Sequence, residues 1–461
     1  MGSVAAVTPE DYGGLVSVES SRVVESSTAA AAAVAGELAT WSGARRRDVL
    51  HAAADALAGA ADPIIEAAAA ETGLTRQRLE GEMARTTGQL RLLGDFVADG
   101  RDRPVVRSAG AAPGGGDIVA VRVPIGPVAV FAASNFPLAF GVLGGDTAAA
   151  LAAGCPVVAK AHPAQPETAR LIAEAVTPAL GAAFAVIYGG ADVSLDLVRA
   201  PQIRAVGFTG SAAGGRALMD AAAARPDPIP VYAEMGALNP VFVFPSALDD
   251  ERWPATLAAA VTGSAGQLCT KPGLVVVPDT EAGAAFADRL AAQVAGTPAF
   301  DRMLTPGMAA AHAAWRDRAP AAEGAPDPSE GGAAPFAVRV AGADLAGELL
   351  EEHFGPAVVI ARSDVDGYGG LAGRLEGSLT ATVLADERDD DAVRALLPAL
   401  VDRAGRVIYN GVPTGVAVVD AMQHGGPWPA ASGAFTSVGT AAVERFLRTV
   451  ALQGLPERLT P

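Results

Sequence analysis

The sequence predicts an α/β protein whose sheets are parallel and covered by helices on both faces. From about residue 117, short uncharged runs such as VAVFAA (128–133) and PVVAK (156–160) alternate with segments of helical periodicity. Continuous apolar strands separated by helices are typical of parallel sheets that are buried on both faces. Half of the 461 residues are hydrophobic and 18% are charged, which provides the cores of two or three domains.

The first part of the chain predicts helices. Residues 26–100 are rich in alanine, and RRRDVLHAAADALAGAADPIIEAAAAE repeats its apolar positions at helical spacing with charges on the other side. Leucine, isoleucine and valine recur throughout this segment. We therefore expect packed helices here and not a flexible linker.

The following segment, to residue 233, predicts the first parallel sheet. After VAVFAA and PVVAK, further strands are expected at FAVIYGG (184–190) and AVGFTGS (205–211), with helices at about 138–153 and 166–176. Ligands of such sheets bind at the carboxyl ends of the strands, so the residues that end these strands are candidate binding residues.

A second α/β unit is expected from about residue 234 to 435. Its predicted strands are NPVFVF, LVVVP, AVVIA, ATVLA and GRVIYN, and APDPSEGGAAP (325–335) predicts a loop. The tail ERFLRTVALQGLP (444–456) ends in an apolar stretch that predicts an edge strand added to a partner subunit.

Charge and cysteine content exclude several classes of partner. The net charge of −17 and the pI of about 4.7 argue against binding to nucleic acid or to an anionic membrane. Two cysteines without a CxxC motif predict neither a disulfide framework nor a metal site. The uncharged stretch 127–145 contains Ser134, Asn135 and Pro137, which predict a strand, a turn and a helix start, not a membrane span. No secretory signal is recognisable, so we expect a cytoplasmic, reducing location.

Two strand ends carry candidate nucleotide-binding residues. In FTGSAAGG, a strand leads through Gly210 and Ser211 into a helix that contains Gly215, and such a turn directs backbone amides at an anion. A purely structural helix-start turn explains the same pattern. Lys160 ends another apolar strand, where its ammonium meets either a ribose or phosphate group or only solvent.

Three polar residues in apolar surroundings are candidates for chemistry. Asn135 requires a hydrogen-bond partner if buried, and its amide either caps a turn or stabilises an oxyanion. Glu234 is either an ion-pair partner or a base with a shifted pKa. Cys269 lies among small polar residues in GQLCTKPG, and a position at the start of a helix would lower its thiol pKa. None of the five histidines has a sequence context that predicts a catalytic partner for this cysteine.

The motifs together resemble those of the aldehyde dehydrogenase superfamily. The matching stretches are SNFP, VVAKAHPA, FTGSAAGG, AEMGALNP, GQLCTKPG and EEHFGPAVVI, and the resemblance runs from about residue 28 to 456. It implies a Rossmann-type cofactor domain (1–105 and 125–233), an α/β catalytic domain (234–435) and a small β oligomerisation element (106–124 and 436–461).

The resemblance also implies a role for each candidate residue. Cys269 would be the nucleophile that forms a thiohemiacetal and then a thioester, Asn135 would hold the oxyanion, and Glu234 would activate the hydrolytic water. The expected cofactor residues are Lys160, Gly210, Ser211, Gly215, Glu352 and Phe354.

Within the superfamily, the chain is most similar to the α-ketoglutarate semialdehyde (2,5-dioxopentanoate) dehydrogenase branch. ETGLTRQRLEGEMARTTGQLRLL and NGVPTGVAVVDAMQHGGPWPA carry this likeness. Pro163 occupies the position where most of the superfamily has a ribose-binding glutamate, which predicts use of NADP or NAD with a slight preference for NADP. Arg85, Gln89 and Phe136 are the candidate substrate-binding residues, with a solvated helix surface as the alternative for Arg85.

Other readings of the function stay open at this point. PWPAASGAFTSVGT (427–440) differs from the branch just after Pro429, so an aliphatic or aromatic aldehyde is the alternative substrate. Glu234 argues against the acylating enzymes, which usually lack this glutamate. A catalytically silent nucleotide-binding subunit is the alternative from another class. The superfamily resemblance implies a homodimer or homotetramer that takes a small-molecule aldehyde.

Overall fold

The computed structural model describes residues 16–113, 115–329 and 331–459 of the chain. Four helices form its N-terminal part and confirm the helical prediction for residues 26–100. They are α1 (Val16–Ala39), α2 (Gly43–Gly59), α3 (Ala61–Thr72) and α4 (Arg76–Ala98). The hydroxyls of Ser42 and Thr75 accept hydrogen bonds from backbone amides at the starts of α2 and α4. The apolar faces of α2, α3 and α4 join one buried cluster with the first sheet.

Two antiparallel strands follow these helices. β1 (Val106–Ser108) pairs with β2 (Ile118–Pro124), and Val106 lies opposite Ala120. Both strands lie within residues 106–124, which were expected to belong to a small β element.

The first large sheet has five parallel strands. They are β3 (Val128–Phe131), β4 (Val157–Lys160), β5 (Phe184–Ile187), β6 (Ala205–Thr209) and β7 (Val231–Glu234). The first four confirm the predicted strands, whereas β7 was not predicted. The strand order is β5-β4-β3-β6-β7. The chain therefore adds β4 and β5 on one side of β3, and then adds β6 and β7 on the other side. A crevice for a ligand is expected beyond the carboxyl ends of β3 and β6.

The helices of this part are α5 (Gly145–Ala153), α6 (Pro166–Leu180), α7 (Ala191–Arg199) and α8 (Ala212–Ala223). The helix predicted at 138–153 was wrong at its start, because residues 138–144 form turns. Side chains at Gly141 and Gly144 would overlap the carbonyl oxygens of Pro137 and Ala139, so the chain turns here at close backbone contact.

The second large sheet has six parallel strands. They are β8 (Val241–Val243), β9 (Leu274–Pro278), β10 (Phe336–Ala341), β11 (Ala357–Ser363), β12 (Ser378–Leu384) and β13 (Ala404–Tyr409), in the order β10-β11-β9-β8-β12-β13. The helices that cover it are α9 (Arg252–Thr262), α10 (Glu281–Ala295), α11 (Pro306–Arg318), α12 (Tyr368–Arg374) and α13 (Asp390–Arg403). All five predicted strands are confirmed. β10 was not predicted, because its apolar residues begin directly after the proline- and glycine-rich loop and no turn separates the two segments.

A third, small sheet joins the C-terminal segment to the two strands that follow α4. β14 (Leu447–Gln453) pairs antiparallel with β2, which gives the order β1-β2-β14. The tail therefore forms its strand within its own chain, next to β2.

No described helix is long and apolar enough to cross a bilayer. Residues 127–145 form β3, a series of turns and the first residue of α5. The strand, turn and helix start predicted for this uncharged stretch are confirmed.

Candidate active site

Cys269 lies in an irregular loop between α9 and β9. The loop begins with Ser264 and Ala265 in the left-handed region, at φ of 56° and 54°, and a side chain at Gly266 would overlap the backbone of Gly355. These residues hold the loop in a single path that brings the half-buried Cys269 to the crevice. The expectation that Cys269 starts a helix was wrong, because the loop runs directly into β9.

The surroundings of Cys269 favour a neutral thiol. Burial, followed by the negative charges of Glu234 and Glu352, raises the pKa of the Cys269 thiol well above its usual value, and Arg85 opposes this only in part. A neutral thiol is a poor nucleophile. The site therefore needs a base that removes the thiol proton, since no helix in the described part of the chain begins at this cysteine.

Glu234 ends β7 and is almost completely buried. Its Oε2 accepts a 2.6 Å hydrogen bond from the Ser437 hydroxyl, and its Oε1 lies 2.9 Å from Nε2 of His424. Burial alone would raise the pKa of this carboxyl. The neighbouring His424 and the hydrogen bonds from Ser437 and Cys269 outweigh burial, so the pKa of Glu234 falls below its usual value. Glu234 is therefore a carboxylate at neutral pH.

His424 is a functional candidate that the sequence analysis missed. Its Nε2 lies 3.8 Å from Sγ of Cys269 as well as 2.9 Å from Glu234, and only 1% of its side chain is exposed. The backbone amide of His424 donates a hydrogen bond to the Thr436 hydroxyl, and the backbone carbonyl of His424 accepts one from the amide of Ser437. His424 is 155 positions away from Cys269 in an irregular segment, so no spacing rule could have connected them.

Asn135 reaches the same site from the loop after β3. Its side-chain amide donates a 3.2 Å hydrogen bond to the carbonyl oxygen of Gln267, two residues before Cys269. Arg78, which the sequence analysis also missed, donates to the Asn135 carbonyl at 2.5 Å and to the Ser264 hydroxyl. Arg78 thus ties the asparagine loop to the cysteine loop. The second N–H of the Asn135 amide is available to a substrate oxygen.

A cavity of about 410 Å³ connects the glycine turn after β6 with Cys269. Seven of the predicted site residues line it: Asn135, Gly210, Ser211, Glu234, Cys269, Glu352 and Phe354. The Ser211 hydroxyl accepts a hydrogen bond from the amide of Gly214 and thereby caps α8. Capped helix starts with free amides bind anions such as a pyrophosphate. The residues present therefore fit a dinucleotide.

Two predicted cofactor residues lie outside the cavity lining. A side chain at Gly215 would overlap Met235, so this glycine permits close packing of α8 against the segment after β7. Lys160 is buried at the end of β4, and burial, opposed by Asp192, lowers its pKa to about 8. His162, which was not predicted, lines the cavity beside Lys160.

Glu352 forms the inner wall of the cavity. Its carboxylate lies against Gly236, where any side chain would overlap it. Burial raises the pKa of Glu352 to about 7, against the charge of Lys271. Lys271 donates to the carbonyl oxygens of His353 and Ala357 at 2.9 Å each, which fixes the strand entry behind Glu352.

The three predicted substrate residues have different surroundings. Arg85 donates to the Val416 carbonyl, while its Nε and Nη2 are buried without a hydrogen-bond partner among the described residues. Gln89 lies against Gly145, and its Nε2 is likewise unpartnered. Phe136 stacks on the guanidinium of Arg78 at 4.7 Å.

A second arginine near the thiol was not predicted. Arg406 on β13 donates to the carbonyl oxygens of Gly415 and Pro413, and its Nε has no partner among the described residues. Burial lowers the pKa of both Arg85 and Arg406, and the charge of an ionised Cys269 counteracts burial in each case. Both guanidinium groups therefore lie within electrostatic reach of the thiol.

A nucleotide crevice that opens on a buried thiol, an amide donor and a carboxylate is the arrangement of an NAD(P)-dependent oxidoreductase. The profile of the aldehyde dehydrogenase family matches residues 4–313. Alpha-ketoglutaric semialdehyde dehydrogenase 2 of Azospirillum brasilense is 43% identical over 450 residues, which cover 91% of this chain and 84% of the relative. The alpha-ketoglutaric semialdehyde dehydrogenase of Acinetobacter baylyi is 41% identical over 450 residues, covering 90% and 84%.

Solved structures show the same fold at lower identity. An aldehyde dehydrogenase C variant from Pseudomonas syringae, solved with NAD⁺ and octanal, has a TM-score of 0.81 at 22% identity and covers 95% of this chain and 90% of that one. Aldehyde dehydrogenase 21 from Physcomitrella patens, solved with succinate, has a TM-score of 0.79 at 18% identity, with 95% and 92% covered. The chain belongs to the aldehyde dehydrogenase family. It is an NAD(P)-dependent aldehyde dehydrogenase.

Proposed function

We propose that the chain oxidises a carboxylate-bearing semialdehyde, such as α-ketoglutarate semialdehyde, to the corresponding acid. The two relatives above 40% identity carry the name of this activity. The observation that supports the proposal most directly is the pair of arginines, Arg85 and Arg406, near Cys269. Arg85 has a buried Nε and a buried Nη2 without a partner among the described residues, and Arg406 has a buried Nε in the same condition. A buried donor left unpaired is costly, so a bound carboxylate would satisfy both.

The first chemical step in this proposal is attack of Cys269 on the aldehyde carbon. Glu234, whose Oε1 lies within 4.8 Å of Sγ, takes the thiol proton and releases it to solvent, while Nε2 of His424, 2.9 Å from Oε1, directs its N–H at the carboxylate and holds it in place. The carbonyl oxygen becomes an oxyanion, which the free N–H of Asn135 and the backbone amide of Cys269 stabilise. The product of this step is a thiohemiacetal on Sγ.

The later steps use the same residues. Bound NAD(P) supplies a hydride acceptor, which allows the thiohemiacetal carbon to be oxidised to the thioester. Glu234 then accepts a proton from a water molecule that attacks the thioester carbon, and Cys269 leaves as the thiolate. Gly210, Ser211, Glu352 and Phe354 would hold the cofactor, since they line the cavity that leads to the thiol.

Cofactor choice follows from the residues after β4. Lys160 is followed by Ala161, His162 and Pro163, and none of these is acidic. An acidic group would repel a 2′-phosphate, and Lys160 attracts one. We therefore propose that both NADP and NAD are used, with a slight preference for NADP.

We also propose a homodimer or homotetramer in the cytoplasm. The small sheet of β1, β2 and β14 ends in an open edge at β14, and exposed strand edges pair with other chains. The reaction needs a free thiol, and both Cys155 and Cys269 are unpaired, which suits a reducing compartment. Light scattering of the purified protein is expected to give two or four times the chain mass of 46.1 kDa.

The experiment that tests the proposed substrate compares Arg85→Met with wild type. For α-ketoglutarate semialdehyde, kcat/KM is expected to fall about 10- to 100-fold, because a charge-assisted hydrogen bond contributes about 1.5–3 kcal/mol. For pentanal, an uncharged aldehyde of the same length, little change is expected. The matched control is Arg91→Met on the same helix, where Arg91 pairs with Asp55 at the surface.

Equal losses on both aldehydes would contradict carboxylate binding by Arg85. A wild-type enzyme that prefers aliphatic or aromatic aldehydes would replace the proposed substrate with one of those classes. Cofactor binding without oxidation of any aldehyde would instead favour the silent-subunit reading.

A further inference from the structure

Three potential metal ligands meet at one point of the active site. Sγ of Cys269 lies 3.8 Å from Nε2 of His424, and Nε2 lies 2.9 Å from Oε1 of Glu234. All three ligand atoms lie within 4.8 Å of one another. Tetrahedral zinc binds N, O and S ligands at about 2.0–2.3 Å, which separates the ligand atoms by roughly 3.3–3.7 Å. The observed separations bracket this range, so small side-chain rotations suffice to bind an ion.

The carboxylate of Glu234 is prepared for this role. Its side chain is 1% exposed, and its Oε1 makes no well-aligned hydrogen bond within the described part of the chain. Its Oε2 accepts a 2.6 Å hydrogen bond from Ser437, which fixes the orientation of the carboxyl group. Ligating carboxylates in metal sites are commonly held by an outer hydrogen bond of this kind.

The ligand set also selects the ion. A thiolate, an imidazole and a carboxylate form a mixed S, N, O set, which suits Zn²⁺ and not Mg²⁺ or Ca²⁺. The cavity in front of Cys269 and Glu234 leaves a fourth coordination position open to water. The arrangement is compatible with a three-ligand zinc site.

We propose that Cys269, His424 and Glu234 form a reversible Zn²⁺ site that switches the enzyme off. Binding forms a zinc–thiolate bond and releases the thiol proton to solvent, with no change of oxidation state. The sulfur lone pair that would attack the aldehyde is then occupied by the metal, and Glu234 loses its role as the base. The inhibitory consequence rests on the proposed function, whereas metal binding does not.

The test uses purified full-length protein that a chelator has freed of metal. Titration with Co²⁺, a spectroscopic substitute for Zn²⁺, is expected to give thiolate-to-cobalt charge-transfer absorption that saturates at one ion per chain. Zn²⁺ is expected to displace the cobalt. Cys269→Ala is expected to remove the charge-transfer absorption. His424→Asn is expected to weaken Co²⁺ binding more than about 100-fold, since even outer partners of ligands contribute 10- to 100-fold.

Two further variants sharpen the test. Ser437→Ala is expected to weaken Co²⁺ binding by about 10- to 100-fold, because the carboxylate loses its orienting hydrogen bond. Cys155→Ala is the matched control. Burial raises the pKa of Cys155 to about 11, so this thiol is inert and Co²⁺ binding should be unchanged. Thermal unfolding of every variant verifies that it is folded.

The outcomes separate this proposal from the proposed function. Absent cobalt absorption, or absorption that persists in folded Cys269→Ala, overturns the metal site. Zn²⁺ inhibition of aldehyde oxidation that the chelator reverses supports the switch. Oxidation that continues with the site filled overturns it. If cobalt binds as expected but no aldehyde is oxidised, the proposed function fails and the metal site stands.

Discussion

At the residue scale, the chemistry depends on how Cys269 loses its proton. Burial and two neighbouring carboxylates raise the pKa of its thiol, which excludes activation by the environment alone. His424 lies beside both the thiol and Glu234, and its Nε2 directs an N–H at the Glu234 carboxylate 2.9 Å away. The base that can accept the thiol proton is therefore Glu234, and His424 holds this carboxylate in place.

The first prediction concerns His424. His424→Gln is expected to slow alkylation of Cys269 by iodoacetamide at neutral pH and to lower kcat about 10- to 100-fold, because the Glu234 base loses the N–H group beside it and such a contact to a charged group contributes about 1.5–3 kcal/mol. Both effects should diminish as the pH rises, because hydroxide then replaces the weakened base. His51→Gln is the control, because His51 lies on α2 in contact with Asp95. An unchanged alkylation rate in His424→Gln would contradict a function of this residue in thiol activation.

The second prediction concerns Asn135. Asn135→Ala is expected to lower kcat about 10²- to 10³-fold, since one oxyanion donor is lost, while cofactor binding stays unchanged. Steady-state kinetics and cofactor titration measure the two quantities. A variant that loses cofactor affinity but keeps kcat would assign Asn135 to the cofactor and not to the oxyanion.

The sequence predicted part of this site for an identifiable reason. Cys269, Glu234 and Asn135 each interrupt apolar or small-residue surroundings. Each could therefore be identified as a candidate from its own sequence neighbours. The structure brings all three to the cavity wall. His424, Arg78 and Arg406 were missed because their roles depend on contacts between segments that are far apart in the chain.

At the element scale, strand ends position the functional groups. β3, β4 and β6 end in or shortly before Asn135, Lys160 and the glycine turn, as the alternation of apolar strands and helices predicted. Glu234 ends β7, which was not predicted. The unpredicted features are irregular ones. The turns at 138–144 and the left-handed residues before Cys269 depend on close backbone contacts, which no periodic pattern records.

The third prediction concerns Lys160 at the end of β4. Burial lowers its pKa to about 8, so its ammonium is present below pH 8 and is lost as the pH rises through that value. If Lys160 meets the 2′-phosphate, NADP binding takes up a proton above pH 8, and affinity is expected to fall up to tenfold per pH unit. Fluorescence titration of NADP measures this effect over roughly three pH units around the Lys160 pKa, from about pH 6.5 to about 9.5. Equal pH dependence of NAD and NADP binding would contradict contact with the 2′-phosphate.

At the scale of the whole molecule, the C-terminal segment connects the first large sheet, the active site and the small sheet. Arg445, before β14, donates to Asp146 on α5 at 2.7 Å, and both side chains are buried. The same segment places Ser437 beside Glu234 and β14 beside β2. The fold therefore couples the small sheet to the active site through residues of a single segment.

The fourth prediction tests this anchor. Arg445→Ala is expected to lower the free energy of unfolding by about 3–5 kcal/mol, because the Asp146 charge stays buried without its partner. Arg448→Ala, on exposed β14, should change it by less than about 0.5 kcal/mol. Urea unfolding measures both. Equal stability of the two variants would contradict an anchoring function of the buried pair.

The measurement that tests the central claim most directly is reduced-nicotinamide formation by wild type, Cys269→Ala and Cys155→Ala. α-Ketoglutarate semialdehyde, an aliphatic aldehyde and an aromatic aldehyde are each assayed with NAD and with NADP. Activity is expected with the semialdehyde, unchanged in Cys155→Ala and absent in Cys269→Ala. Turnover that survives in Cys269→Ala would contradict a thioester route through this cysteine.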